Sequence, residues 1–158
     1  MTRQHTPTAL ALLTALVLIL VTACGGDSDR IGVEVDGKAH DRLAAGIKDL
    51  GEHGREGTLR DLTPFAWDNV WVFFEGASKK DIESATGDRV ALPTGTISGG
   101  GDRYYGTGPL FVFTRAKHPA RAIAVPYGGI TEAGGPWPPT TRLIPGTPGA
   151  AGSLSLQR

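Results

Sequence analysis

The sequence predicts a small α+β domain: an antiparallel sheet of about four or five strands, two helices packed on one face, and a Pro/Gly-rich C-terminal arm. Three observations carry this. Residues 61–74 hold two of the three Trp and three of the five Phe, too much aromatic surface to leave in water. Residues 38–54 set Leu43, Ile47 and Leu50 at helical spacing. Residues 110–115 and 120–125 are apolar runs around a short loop, the pattern of a hairpin.

Residues 1–23 read as a leader. Residues 1–8 are polar with one cation, Arg3, and residues 9–23 are apolar or small apart from Thr14 and Thr22. That run is shorter than the roughly 20 residues a spanning helix needs, but it suits the core of a signal peptide. It ends in Leu20-Val21-Thr22-Ala23-Cys24. This resembles the bacterial lipobox, and the only Cys of the chain stands where the box requires one. The resemblance implies a diacylglyceryl group on the Cys24 thiol, cleavage before Cys24, and often acylation of the new amine. The alternative is an incidental Cys after an ordinary signal peptide. An unpaired thiol is unusual in an exported protein, and lipidation removes the anomaly. Two acyl chains, at about 0.8 kcal/mol per buried methylene, give on the order of 20 kcal/mol gross. The expected place is the cell membrane, lipid-anchored on the extracytoplasmic face, or an outer membrane if the host has one.

Cleavage at that point leaves residues 24–158, enough for one domain with a core. The boundaries expected are 24–36 for the lipidated Cys and tether, 37–127 for the globular domain and 128–158 for the arm. The leader holds Arg3 and no acid, so 15 basic residues face 16 acidic ones in the mature chain. No basic surplus favours nucleic acid or anionic lipid. With no second Cys and no Met after Met1, disulfides, thiolate metal sites and a Met-rich copper site are excluded. No cofactor is expected.

In chain order, residues 25–30 are small and polar, a flexible tether. Residues 31–35 alternate and predict a short strand, with Asp36-Gly37 as a turn. The helix over 38–54 is stopped by Gly51 and Gly54. Residues 58–62 predict a strand leading to a turn at 63–68. Residues 69–74 form the central strand, with Val70, Val72 and Phe74 on one face and Trp71 and Phe73 on the other. Both faces are bulky, so cover on both sides is expected. Ser78 as N-cap with Asp81 three residues on, and Gly87 as C-cap, predict a second helix over 78–86. Residues 88–108 are Gly-rich and irregular. The hairpin follows, with 116–119 as its loop. Beyond 128, five of the eleven prolines fall between Pro136 and Pro148, and 134–139 predict polyproline II. Residues 153–157 predict a last edge strand.

The pattern Asp61-Leu62-x-x-Phe65-x-Trp67-Asp68-x-Val70-x-Val72-Phe73, followed by a short helix and the Leu110-Phe111-Val112-Phe113 strand, resembles a group of exported bacterial proteins, many of them lipoproteins. The resemblance covers residues 43–125. It implies export and fold class, and no activity.

Few residues suggest chemistry. Asp68 would be a general acid or base in an extracytoplasmic hydrolase, working with a His or carboxylate that folding brings near. As a structural group it would accept amide hydrogen bonds from its turn, and the spacing favours this. His40, His53 and His118 form no metal-binding pair and are expected in solvent. Ser98 misses the Gly-x-Ser-x-Gly elbow by one place. The glycines 99–101 lack the Lys of a phosphate loop and read as a loop. Tyr104, Tyr105 and Trp137 are aromatics in Gly- or Pro-rich segments and could stack on a glycan or envelope protein; the alternative is that each folds back onto the core. The expectation is a non-enzymatic binding or structural module of the cell envelope.

Overall fold

A computed structural model describes residues 30–87, 90–92, 102–106, 108–126, 129–146 and 152–158. The leader, Cys24, the tether as far as residue 29, Ser98 and the glycines 99–101 lie outside the described residues. The elements are β1 (Ile31–Glu34), α1 (Lys38–Glu52), β2 (Gly57–Thr58), α2 (Leu59–Leu62), β3 (Asn69–Phe73), α3 (Lys79–Thr86), β4 (Val90–Ala91), β5 (Leu110–Arg115), β6 (His118–Ala124), β7 (Gly134–Trp137), β8 (Arg142–Pro145) and β9 (Leu154–Gln157). The class is α+β.

The sheet is larger than four or five strands and is mixed. Six strands run in the order β4-β1-β6-β5-β3-β7, and a second sheet runs β2-β8-β9. β1 lies parallel to both β4 and β6. A parallel pair needs a long connection, and the chain from α1 onward supplies it. Local alternation cannot reveal such a partner.

β3 explains the layers. Val70 and Val72 enter one core with Phe111, Phe113 and Ile123. That core is closed by Leu43, Ile47 and Leu50 of α1 and by Leu143, Leu154 and Leu156 of the small sheet. Phe73 enters a second core with Leu110, Val112, Ala122 and Tyr104, closed by Ile82 of α3 and with Trp71 packed against it. The helices α1 and α3 therefore cover opposite faces, which corrects the expectation of two helices on one face. A strand apolar on both sides needs cover on both sides, and each fully buried side chain of this size contributes about 1.5–3 kcal/mol.

Local signals explain the short elements. Ser78 accepts the Asp81 amide at 3.1 Å and donates to Asp81 Oδ2 at 2.6 Å, and Gly87 closes α3 at φ 77°. Thr58 repeats the box with Asp61. Residues 59–62 are consequently a helical turn and not a strand.

The described residues of the C-terminal segment form three strands, β7, β8 and β9, and not a polyproline arm. β7 pairs with β3 on the edge of the large sheet, where a Pro costs no ladder bond. Gly135 is required there, since a Cβ would lie 2.9 Å from the Val70 carbonyl oxygen. The expected last strand is present as β9, at the edge of the small sheet. Among the described residues, no helix is long and apolar enough to cross a membrane.

Candidate functional site

Asp68 sits where its turn enters β3, and the β5–β6 turn lies beside it. The Asp68 amide donates to the Thr114 carbonyl at 2.8 Å, and its Oδ2 accepts the Ala116 amide at 2.7 Å. Ala116 and Lys117 both have positive φ, 51° and 68°. This is the two-residue connection that matches strand twist. It replaces the expected four-residue loop, so His118 and Pro119 belong to β6. A register shift between Phe113 and Thr114 absorbs the extra residue. The turn carries no Asn-Gly, the usual signal for such a bend, and was invisible for that reason.

Behind Asp68, the Trp67 indole donates to Thr63 Oγ1 at 2.7 Å, and that hydroxyl donates to the Leu59 carbonyl at 3.1 Å. The rings of Phe65 and Trp67 meet Phe113 edge-on at 5.0 and 5.2 Å. The Phe-x-Trp-Asp segment thus clamps α2, β3 and the hairpin together.

The three candidate aromatics do not form one surface. Tyr104 is fully buried in the core under α3. Its hydroxyl donates to the Gly108 carbonyl at 2.7 Å. Burial, helped by the nearby Glu75 charge, pushes its pKa up to about 12. It is a core residue and not a stacking platform. Trp137 packs against the opposite core, under the Arg158 guanidinium at 5.3 Å from its ring. Tyr105 alone is open, 40 % exposed. Gly-rich flanks hid the burial of Tyr104, since they mark loops whether or not a loop turns inward.

The histidines stay apart on α1 and at the hairpin. His40 is buried, correcting the expectation of solvent. Its Nδ1 lies 3.0 Å from Asp41 Oδ1, and its Nε2 is buried without a hydrogen-bond partner. It sits one turn before Leu43 on the core stripe, a position the helical period already implied. His53 is exposed at the other end of α1 and donates to the Asp49 carbonyl at 2.9 Å. His118 is exposed at the start of β6. Among the described residues, no three His, Cys, Asp or Glu side chains come together as a metal site.

The ends of the large sheet differ in character. β1, β3 and β6 run the same way, with β5 opposed. Arg30, Asp68, Arg115, Lys117 and His118 therefore gather at one end. Val35 and Phe74 follow the strands out at the other, where Tyr105 leaves the Tyr104–Gly76 contact. These three are the exposed large apolar residues of the described chain.

No family model, curated protein or solved structure matches the chain.

Proposed function

We propose that the chain is a lipoprotein anchored in the cell membrane on its extracytoplasmic face, serving as a non-enzymatic binding or structural module of the envelope. One observation carries this: the single Cys of the chain closes a lipobox-like run directly after an apolar leader. The resemblance of residues 43–125 to exported proteins of the Phe-x-Trp-Asp type points the same way. The engagement of Asp68 with a turn amide supports a module over a hydrolase, because its Oδ2 is already committed to the hairpin. Val35, Phe74 and Tyr105 at one end of the sheet offer an apolar surface for an envelope protein or a glycan.

Intact mass of the protein purified from native membranes tests the anchor. The expected N-terminus is diacylglyceryl-Cys24, and Cys24→Ala abolishes incorporation of labelled palmitate. A mature chain beginning elsewhere, or labelled Cys24→Ala, overturns the reading.

A further inference from the structure

The tether joins the domain at the end of the sheet that carries its exposed hairpin cations. Only six peptide units separate Cys24 from Arg30. Fully extended they reach about 20 Å. β1 starts at Ile31 and runs parallel to β6, with Val33 opposite Ala122. Its first residue is therefore at the same end as the β5–β6 turn. Arg115, Ala116, Lys117 and His118 are all exposed there, with Arg30 beside them. Neither Arg115 nor Lys117 is ion-paired among the described residues. Among the described residues, the acidic groups nearby are Asp68, whose Oδ2 holds the Ala116 amide, and Glu83, one turn back from Gly87, where an added Cβ would lie 3.2 Å from the Lys117 carbonyl oxygen.

We propose that this hairpin tip rests on anionic phospholipid headgroups, so that the domain stands on its basic end and holds Val35, Phe74 and Tyr105 away from the bilayer. The inference rests on the lipid-anchor reading above. The near-neutral sum of charges does not oppose it, because a membrane within a screening length of about 8 Å responds to the nearest charges and not to the total. Lys117 adds a second argument. It holds a left-handed position that Gly would occupy without strain. A costly residue kept at a turn tip points to use of its side chain. The opposite end lies a strand length away, about 16 Å at 3.3 Å per residue, and would reach the bilayer only with the tether drawn out along the sheet.

The test uses the full acylated chain in vesicles of phosphatidylcholine, with or without phosphatidylglycerol. One fluorophore is placed on Ala120→Cys near the tip, or on Glu75→Cys at the far end, and the lipids carry a headgroup quencher. In anionic vesicles the Ala120 label is quenched several-fold more than the Glu75 label. Each cation is worth about fivefold in the equilibrium between the two orientations, so Arg115→Gln with Lys117→Gln shifts that equilibrium by about 25-fold and brings the two labels to equal quenching, while Lys117→Arg keeps the difference. About 1 M salt, which shortens screening to about 3 Å, also removes it. Equal quenching at both labels, stronger quenching at Glu75, or no dependence on lipid charge overturns the proposal. Loss of the protein from all vesicles, with no acyl group on Cys24, instead refutes the anchor.

Discussion

The carboxylate of Asp68 accepts the backbone amide of Ala116 at 2.7 Å, across 48 residues of sequence. It ties the entry of the central strand to the tip of the hairpin that pairs with it. Asp68→Ala removes the acceptor from a turn whose two central residues already have positive φ. A loss of about 1 kcal/mol is expected, read as a lower urea midpoint at unchanged m-value. An unchanged midpoint would mean the bond contributes nothing.

Lys117→Gly should stabilise the fold. Gly relieves a non-Gly residue at φ 68°, and relief of left-handed strain is worth about 1 kcal/mol. The thermal midpoint rises by a few degrees, about 2–4 °C for a chain of this size. The same substitution weakens the membrane contact inferred above, so stability and docking move in opposite directions. A variant that loses both would break that link.

Two glycines of α1 should respond differently to Ala. At Gly46 a Cβ falls 2.4 Å from Leu62 Cδ2, the end of a half-buried side chain that can turn away. The helix-propensity gain of up to about 1 kcal/mol offsets that adjustment, and Gly46→Ala is near neutral. At Gly51 a Cβ falls 2.4 Å from the Gly152 carbonyl oxygen, which is backbone. Gly51→Ala costs about 1–3 kcal/mol despite the better propensity. Denaturant midpoints of the two variants check the ordering.

Glu132 makes part of the stability acid-sensitive. Burial pushes its pKa upward, but the Leu156 amide and the Thr131 and Ser155 hydroxyls outweigh burial and hold it below the ordinary 4.5. A depressed folded pKa means that the contribution is present above the unfolded value and is lost as pH falls through the folded one. The loss therefore begins near pH 4.5 and continues below it. Glu132→Gln should be less stable than the parent at pH 7 and lose less between pH 5 and pH 3, measured by chemical denaturation across that range.

Signals confined to a few residues were legible. The Ser78–Asp81 box, the Gly87 cap and the two-faced alternation from Val70 to Phe73 appear as read, but Phe74, expected on the covered Val70 face, lies past the end of β3 and is exposed. The Thr58–Asp61 box was equally visible, but the apolar Leu59 and Leu62 suggested a strand. What escaped is non-local. Nothing in residues 31–34 says that β1 will lie parallel to β6. Pro136 and Gly135 look like a strand breaker, yet they sit on an edge where Pro is harmless and Gly is required against Val70. The candidate aromatics were separated by the same cause: Tyr104 and Trp137 face different cores.

Leu154 and Leu156 reach back to the core built by Leu43, Ile47 and Leu50, and Gly152 touches Gly51 and Gly129 through its carbonyl oxygen. The first core is thus closed by residues that lie far along the chain from the helix they pack on. Without residues 152–157 the first core would lack Leu154 and Leu156, and α1 would lose its backbone neighbour at Gly51. Trimming the tail would yield an unfinished fold, not a shorter module.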